Sequence, residues 1–92
     1  MNSKTIDKAC EKLLSLLNRL PPIQQKQAMQ EAYWEIQQAQ IDTPIRIDRP
    51  ENFALDLSQA LRNSELITEV MLMHSTIVHA DDPVDLVTAM LP

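Results

Sequence analysis

The chain predicts an all-α fold: a small bundle of four helices plus a short C-terminal helix, with an extended connector around residues 41–49. Three observations lead there. Apolar residues recur at spacings of three and four along most of the chain. Glycine is absent, where average usage of about 7% would give roughly six, so the Asn-Gly and Asp-Gly hairpin turns of β-rich folds cannot be built. Prolines and asparagines stand where the helical patterns break.

The first helix is expected from Ser3 or Thr5 to Leu20. Ile6, Cys10, Leu13, Leu17 and Leu20 recur at helical spacing, and Ala9, Leu14 and Leu16 widen the seam. Pro21-Pro22 ends it, because a residue before proline is pushed out of the α region. Proline is tolerated in a first turn, so a second helix can start at once and run from Pro22 to Gln40. Its inner stripe is Ala28, Met29, Ala32, Ile36 and Ala39, with Tyr33 at one edge. Small alanines and the tight turn predict that it folds back antiparallel on the first helix.

Pro44 and Pro50 then bracket an extended segment whose Ile45 and Ile47 can tuck into the bundle. A lone strand there would have nothing to pair with except a second copy. A third helix follows to Arg62, with Phe53, Ala54, Leu57, Ala60 and Leu61 facing inward. "RNSE" breaks it, with Asn63 or Ser64 as the next N-cap, and a fourth helix covers Glu65 to His79. Leu66, Ile67, Val70, Met71, Met73, Ile77 and Val78 form its apolar arc, and Leu72 is an outlier on its polar side. In "DDPVD" Asp82 caps a last short helix, Pro83 takes its first turn and Asp85 lies near the positive dipole end. Val84, Leu86, Val87, Met90 and Leu91 give it an apolar face.

Residues 1–92 read as one helical domain, long enough to bury roughly 60–68% of the unfolded surface. Only 3% of the chain is aromatic, so the core must be built from Leu, Ile, Val, Met and Ala. A single cysteine, an N-terminus "MNSKTIDKAC" without an apolar signal core, and no apolar run near the ~20 residues of a membrane span together predict a cytoplasmic protein. Without glycine there is no phosphate loop, dinucleotide fingerprint or nucleophile elbow. No cofactor is implied.

Net charge is −5 and unevenly placed. From Asn63 onward there are five acids (Glu65, Glu69, Asp81, Asp82, Asp85) and no base, leaving eight acids against eight bases before it. An acidic C-terminal third disfavours nucleic acid and mildly favours a basic protein partner; a solvated acidic face is the blander reading.

No motif points to an enzyme. Cys10 sits in the apolar seam of its helix, with Lys8 and Lys12 turned away, and buried structural thiols are inert. His74 falls near the middle of the fourth helix's apolar arc. It is either a neutral core histidine with a hydrogen-bond partner or a buried pH-sensitive or partner-contacting group. A metal is disfavoured, because His79 is five positions on and faces elsewhere.

Trp34 is more informative. It lies opposite the Met29, Ala32 and Ile36 stripe, in line with Ile23 and Ile41 and among Gln27, Gln30, Gln37 and Gln38. Either this is an interface, since interfaces are rich in tryptophan and poor in lysine and glutamate, or the connector folds over it with Ile45 or Ile47 beneath. Leu55 and Leu72 are two further apolar residues on polar faces. Together these features predict a non-enzymatic protein–protein interaction module, such as a small adaptor, inhibitor or immunity-type protein. It would be a homodimer, binding through Trp34, Gln30, Gln37, Ile41, Leu55 and Leu72, with an acidic C-terminal third to steer a basic partner. The alternative is a small helical DNA-binding transcriptional regulator.

"LNRLPPIQQKQA", Leu17 to Ala28, resembles the opening of the promoter-reading C-terminal region of sigma factors, where a Leu-Pro-Pro turn precedes a Gln/Arg-rich helix. The likeness covers a dozen residues. The family's region continues into a helix-turn-helix with a basic recognition helix, whereas this chain turns acidic and apolar, so the resemblance implies no membership.

Overall fold

The computed structural model describes residues 3–63 and 70–91, and the side chains of 4–63 and 75–91. Among these, five helices and no strand are found: α1 (Ser3–Asn18), α2 (Pro22–Gln38), α3 (Pro50–Asn63), α4 (Val70–His79) and α5 (Pro83–Met90). The all-α bundle anticipated from periodicity is the observed fold. Asn63, one of the two expected caps of the fourth helix, is the last residue of α3, and the expected start itself, with Ser64, Leu66 and Ile67, lies at positions 64–69, outside the described residues.

The helix ends show how a chain without glycine turns. α1 closes with tightened bonds, Arg19 N–H to the Leu16 carbonyl (3.3 Å) and Leu20 N–H to that of Leu17 (3.1 Å). Pro21 and Pro22 then supply fixed φ for the entry into α2, whose N-terminus has no side-chain cap. The Gln25 side chain reaches back instead and donates to the Leu17 carbonyl (3.0 Å), a second bond to the acceptor that also takes the Leu20 N–H. At the far end of α2, Gln40 adopts a left-handed backbone (φ 61°). Its N–H bonds the Gln37 carbonyl at 3.0 Å and the Ile41 N–H bonds that of Ile36 at 3.5 Å. This is the Schellman arrangement, with glutamine where glycine is usual.

The connector is pinned on both sides of its chain. Alternation in an extended segment sends Ile45 and Ile47 one way and Arg46 the other. Ile45 is buried and Ile47 packs partly against the core. Arg46 meets Asp56 of α3 in a two-pronged pair, Nε to Oδ2 at 2.9 Å and Nη2 to Oδ1 at 3.2 Å. Its backbone N–H also donates to Asp56 Oδ2 at 2.9 Å. Asp48 then accepts from the Arg49 N–H (2.9 Å) and from the Asn52 amide (3.1 Å), fixing the entry into α3. At α5 the expected cap is present: Asp82 Oδ1 accepts from Val84 N–H at 2.8 Å and Asp85 N–H at 3.2 Å, with Pro83 in the first turn.

One buried cluster joins the elements. Its largest closed side chains are Ile6, Leu13 and Leu17 of α1, Met29 and Ile36 of α2, Phe53, Leu57 and Leu61 of α3, and Leu86, Val87 and Met90 of α5. The inner stripes read from the sequence for α1, α2, α3 and α5 are these faces.

Two expectations are corrected. α1 and α2 do not pack as a hairpin; α1 lies mainly against α3 and α2 mainly against α5, with little contact between the first two. Pro-Pro fixes where α1 stops, but it does not fix the angle at which α2 departs. The alanines of α2 therefore allow close approach to α5 rather than to α1. Val78, placed in the core-facing arc of α4, is 58% exposed, while Ile77 packs partly against the core. The arc drawn from sequence spanned half the helix, wider than the strip that α1 and α5 cover.

Candidate functional site

Two surface features hold those residues singled out for binding whose side chains are described. The first is the outer face of α2. Its inner face is taken by Ala28, Met29, Ala32 and Ile36, so helical geometry turns Trp34 outward. Trp34 is 57% exposed and Ile23, in line with it, 74%. Gln27, Gln30, Gln37 and Gln38 are exposed around them. The connector does not cover Trp34; Ile45 goes into the core instead. Ile41, just past the left-handed Gln40, is partly buried and lines a recess of about 420 Å³ with Tyr33, Gln37 and Pro44. It is a shoulder of the stripe rather than an open part of it.

The second feature is a groove of about 320 Å³ between α1 and α3. The helices run antiparallel, as the ion pair from Asp7 near the start of α1 to Arg62 near the end of α3 requires. Leu14, Ala54 and Leu55 give the groove its apolar lining, and Cys10 and Ser58 meet in its floor. Glu11 and Glu51 stand on its rim. Leu55 is 52% exposed here. No α2 residue lines this groove, so Leu55 and Trp34 belong to separate surfaces. Leu72 and His74 carry side chains outside the described residues, and neither can be placed in a site.

The Cys10 thiol is a poor nucleophile. Burial, with the Asp7 carboxylate adding to it, pushes its pKa up to about 11, against weaker opposing effects of Arg62 and a hydrogen bond with Ser58. It is therefore protonated at neutral pH. Ser58, polar yet buried, was not legible from α3's periodicity; it is the hydrogen-bonding neighbour of that thiol.

The acids of the C-terminal third are only partly described. Asp81, Asp82 and Asp85 are exposed around the α4–α5 turn, and Asp82 is committed to its cap. Asp81 and Asp85 line a shallow recess of about 430 Å³ with His79 and Ser75. Among the described residues no group of three or more His, Cys, Asp or Glu could hold a metal ion. No described helix is long and apolar enough to cross a membrane.

The staple of Arg46 on Asp56 was also beyond sequence reading. Alternation shows that Arg46 points away from the core, but nothing local to it identifies a partner ten residues on. No family model matches the chain, and no curated protein or solved structure proved similar to it.

Proposed function

We propose that this protein is a non-enzymatic protein–protein interaction module that associates with a second copy of itself through the outer face of α2. The observation that carries the reading is Trp34, a large aromatic more than half exposed on a stripe without charge. At about 100° per residue, Ile23 lies within about 20° of Trp34, and Gln27, Gln30 and Gln38 within about 40°. The nearest ionisable groups on the helix, Glu31 and Lys26, lie on its two flanks.

Charge makes a second copy the fitting occupant. The net charge of −5 lies wholly in residues 63–92, so two copies meeting through that third of the chain bring like charges together. The α2 stripe avoids this. Its amides can bond to each other across the contact, and an indole buried at its centre has the character of an interface hot spot.

Trp34 is the chain's one tryptophan and so reports directly on the contact. Its emission should shift to the blue as protein concentration rises, in step with a doubling of mass by light scattering. Trp34→Ala should weaken association by about 2 kcal/mol or more. A protein that stays monomeric at millimolar concentration, with solvent-exposed emission throughout, would defeat the proposal.

A further inference from the structure

The α1–α3 groove is a different surface from the α2 stripe and differs from it in chemistry. Its walls are mainly apolar, with Leu14, Ala54 and Leu55 around a void at the small end of the range of about 300–1,000 Å³ typical of ligand pockets. That is room for apolar side chains rather than for a whole cofactor. Leu55 points its half-exposed side chain into this space although the other outward positions of α3 are polar.

Charge decides what kind of apolar group belongs there. Arg62 is tied to Asp7, so the cation at that end is already neutralised. Glu11 on α1 and Glu51 on α3 both line the groove, about two helical turns apart along it, both exposed and neither in an ion pair among the described residues. Lys8 and Lys12 stand three residues before and one after Glu11 on α1, and neither is in an ion pair with it among the described residues. The groove thus combines an apolar trough with two unneutralised carboxylates on opposite walls.

We propose that it docks a protein segment presenting an apolar side chain, leucine or methionine, between flanking lysines or arginines. The apolar side chain would fill the trough beside Leu55, and the cations would reach Glu11 and Glu51. Rim charges of this kind set encounter rate and salt dependence, while the buried apolar group sets residence time. An amphipathic basic helix is the natural carrier, since it shows such a pattern on one face.

The probe is a fluorescein-labelled Ala/Lys-rich helical peptide with leucines one turn apart, followed by fluorescence anisotropy against the full chain. Binding should saturate, weaken as salt rises, and weaken at least fivefold when the peptide leucines become serine. Leu55→Ser should give a similar loss, and Glu11→Gln with Glu51→Gln should flatten the salt dependence. All these positions are exposed, and unchanged far-UV circular dichroism would confirm that the variants fold. Trp34→Ala should leave the peptide affinity unchanged, which separates this site from the α2 contact. Absence of saturable binding, equal binding of the serine peptide, or indifference to Leu55→Ser would each overturn the assignment.

Discussion

Gln40 holds a backbone conformation that glycine adopts freely and other L-residues adopt at a cost of about 1–2 kcal/mol. The Schellman bonds at the end of α2 hold it there. Gln40→Gly should therefore stabilise the fold, by about 0.5–1 kcal/mol once the greater freedom of glycine in the unfolded chain is counted. For a domain of this size that is a rise of roughly 2–8 °C in Tm. Thermal melts of the two proteins decide it; an unchanged or lower Tm for the variant would mean that Gln40 is not strained. At this scale the sequence is most readable where a side chain acts on its near neighbours. Asp82 capping α5 and Cys10 lying in the α1 seam follow from spacing alone. Gln40 did not announce itself, because nothing in "QAQIDT" marks which residue takes the left-handed turn when glycine is missing. Ser58 was equally silent, since its warrant is a thiol on another helix.

At the scale of elements, the connector is held by a charge pair as well as by its buried isoleucine. Asp56 has its pKa lowered chiefly by the hydrogen bond from the Arg46 side chain and then by that from the Arg46 N–H. Asp48 is lowered too, first by Asn52. The unfolded chain, with carboxyls near the ordinary value of about 3.9, binds more protons between that value and the depressed folded ones. Their contribution to stability is thus complete above the unfolded pKa and lost as pH falls through the folded value. Asp56→Asn removes one share of it. The gap between wild type and Asp56→Asn in urea midpoint should be widest above about pH 5 and narrow steadily toward pH 2. A gap that stays constant would show that the Arg46–Asp56 pair does not anchor the connector. Helix identities and inner faces were legible here because each depends on a local period. The arms that join them were not, for a staple spans elements whose approach the period leaves undefined. The two candidate surfaces divide in the same way. Trp34's outward position follows from the α2 stripe, whereas Leu55's groove exists only because α3 lies on α1.

The whole molecule depends on its shortest described helix. α5 contributes Leu86, Val87 and Met90, each fully closed from solvent, and each worth about 1.5–3 kcal/mol in burial. A chain of this length has a total stability of about 5–14 kcal/mol. Removing residues 83–92 should therefore abolish cooperative unfolding, with a loss of ellipticity larger than one short helix explains. A truncated protein that still melts sharply near the original Tm would refute this dependence. Which helices meet was the least readable property, because amphipathic faces say that a partner is needed without naming it. The pairing that results, α1 on α3 and α2 on α5, bears on how the chain is made. When synthesis has delivered α1 and α2, neither surface they need has yet been produced. Roughly 50 further residues must follow, which takes about 3–10 s at about 5–20 residues per second. The leucines of α1 have nothing native to rest on until α3 is complete, about halfway through, and the Met29–Ile36 stripe of α2 waits for α5 to the end. Ribosome-bound intermediates of this protein are thus open to chaperone capture until α5 emerges.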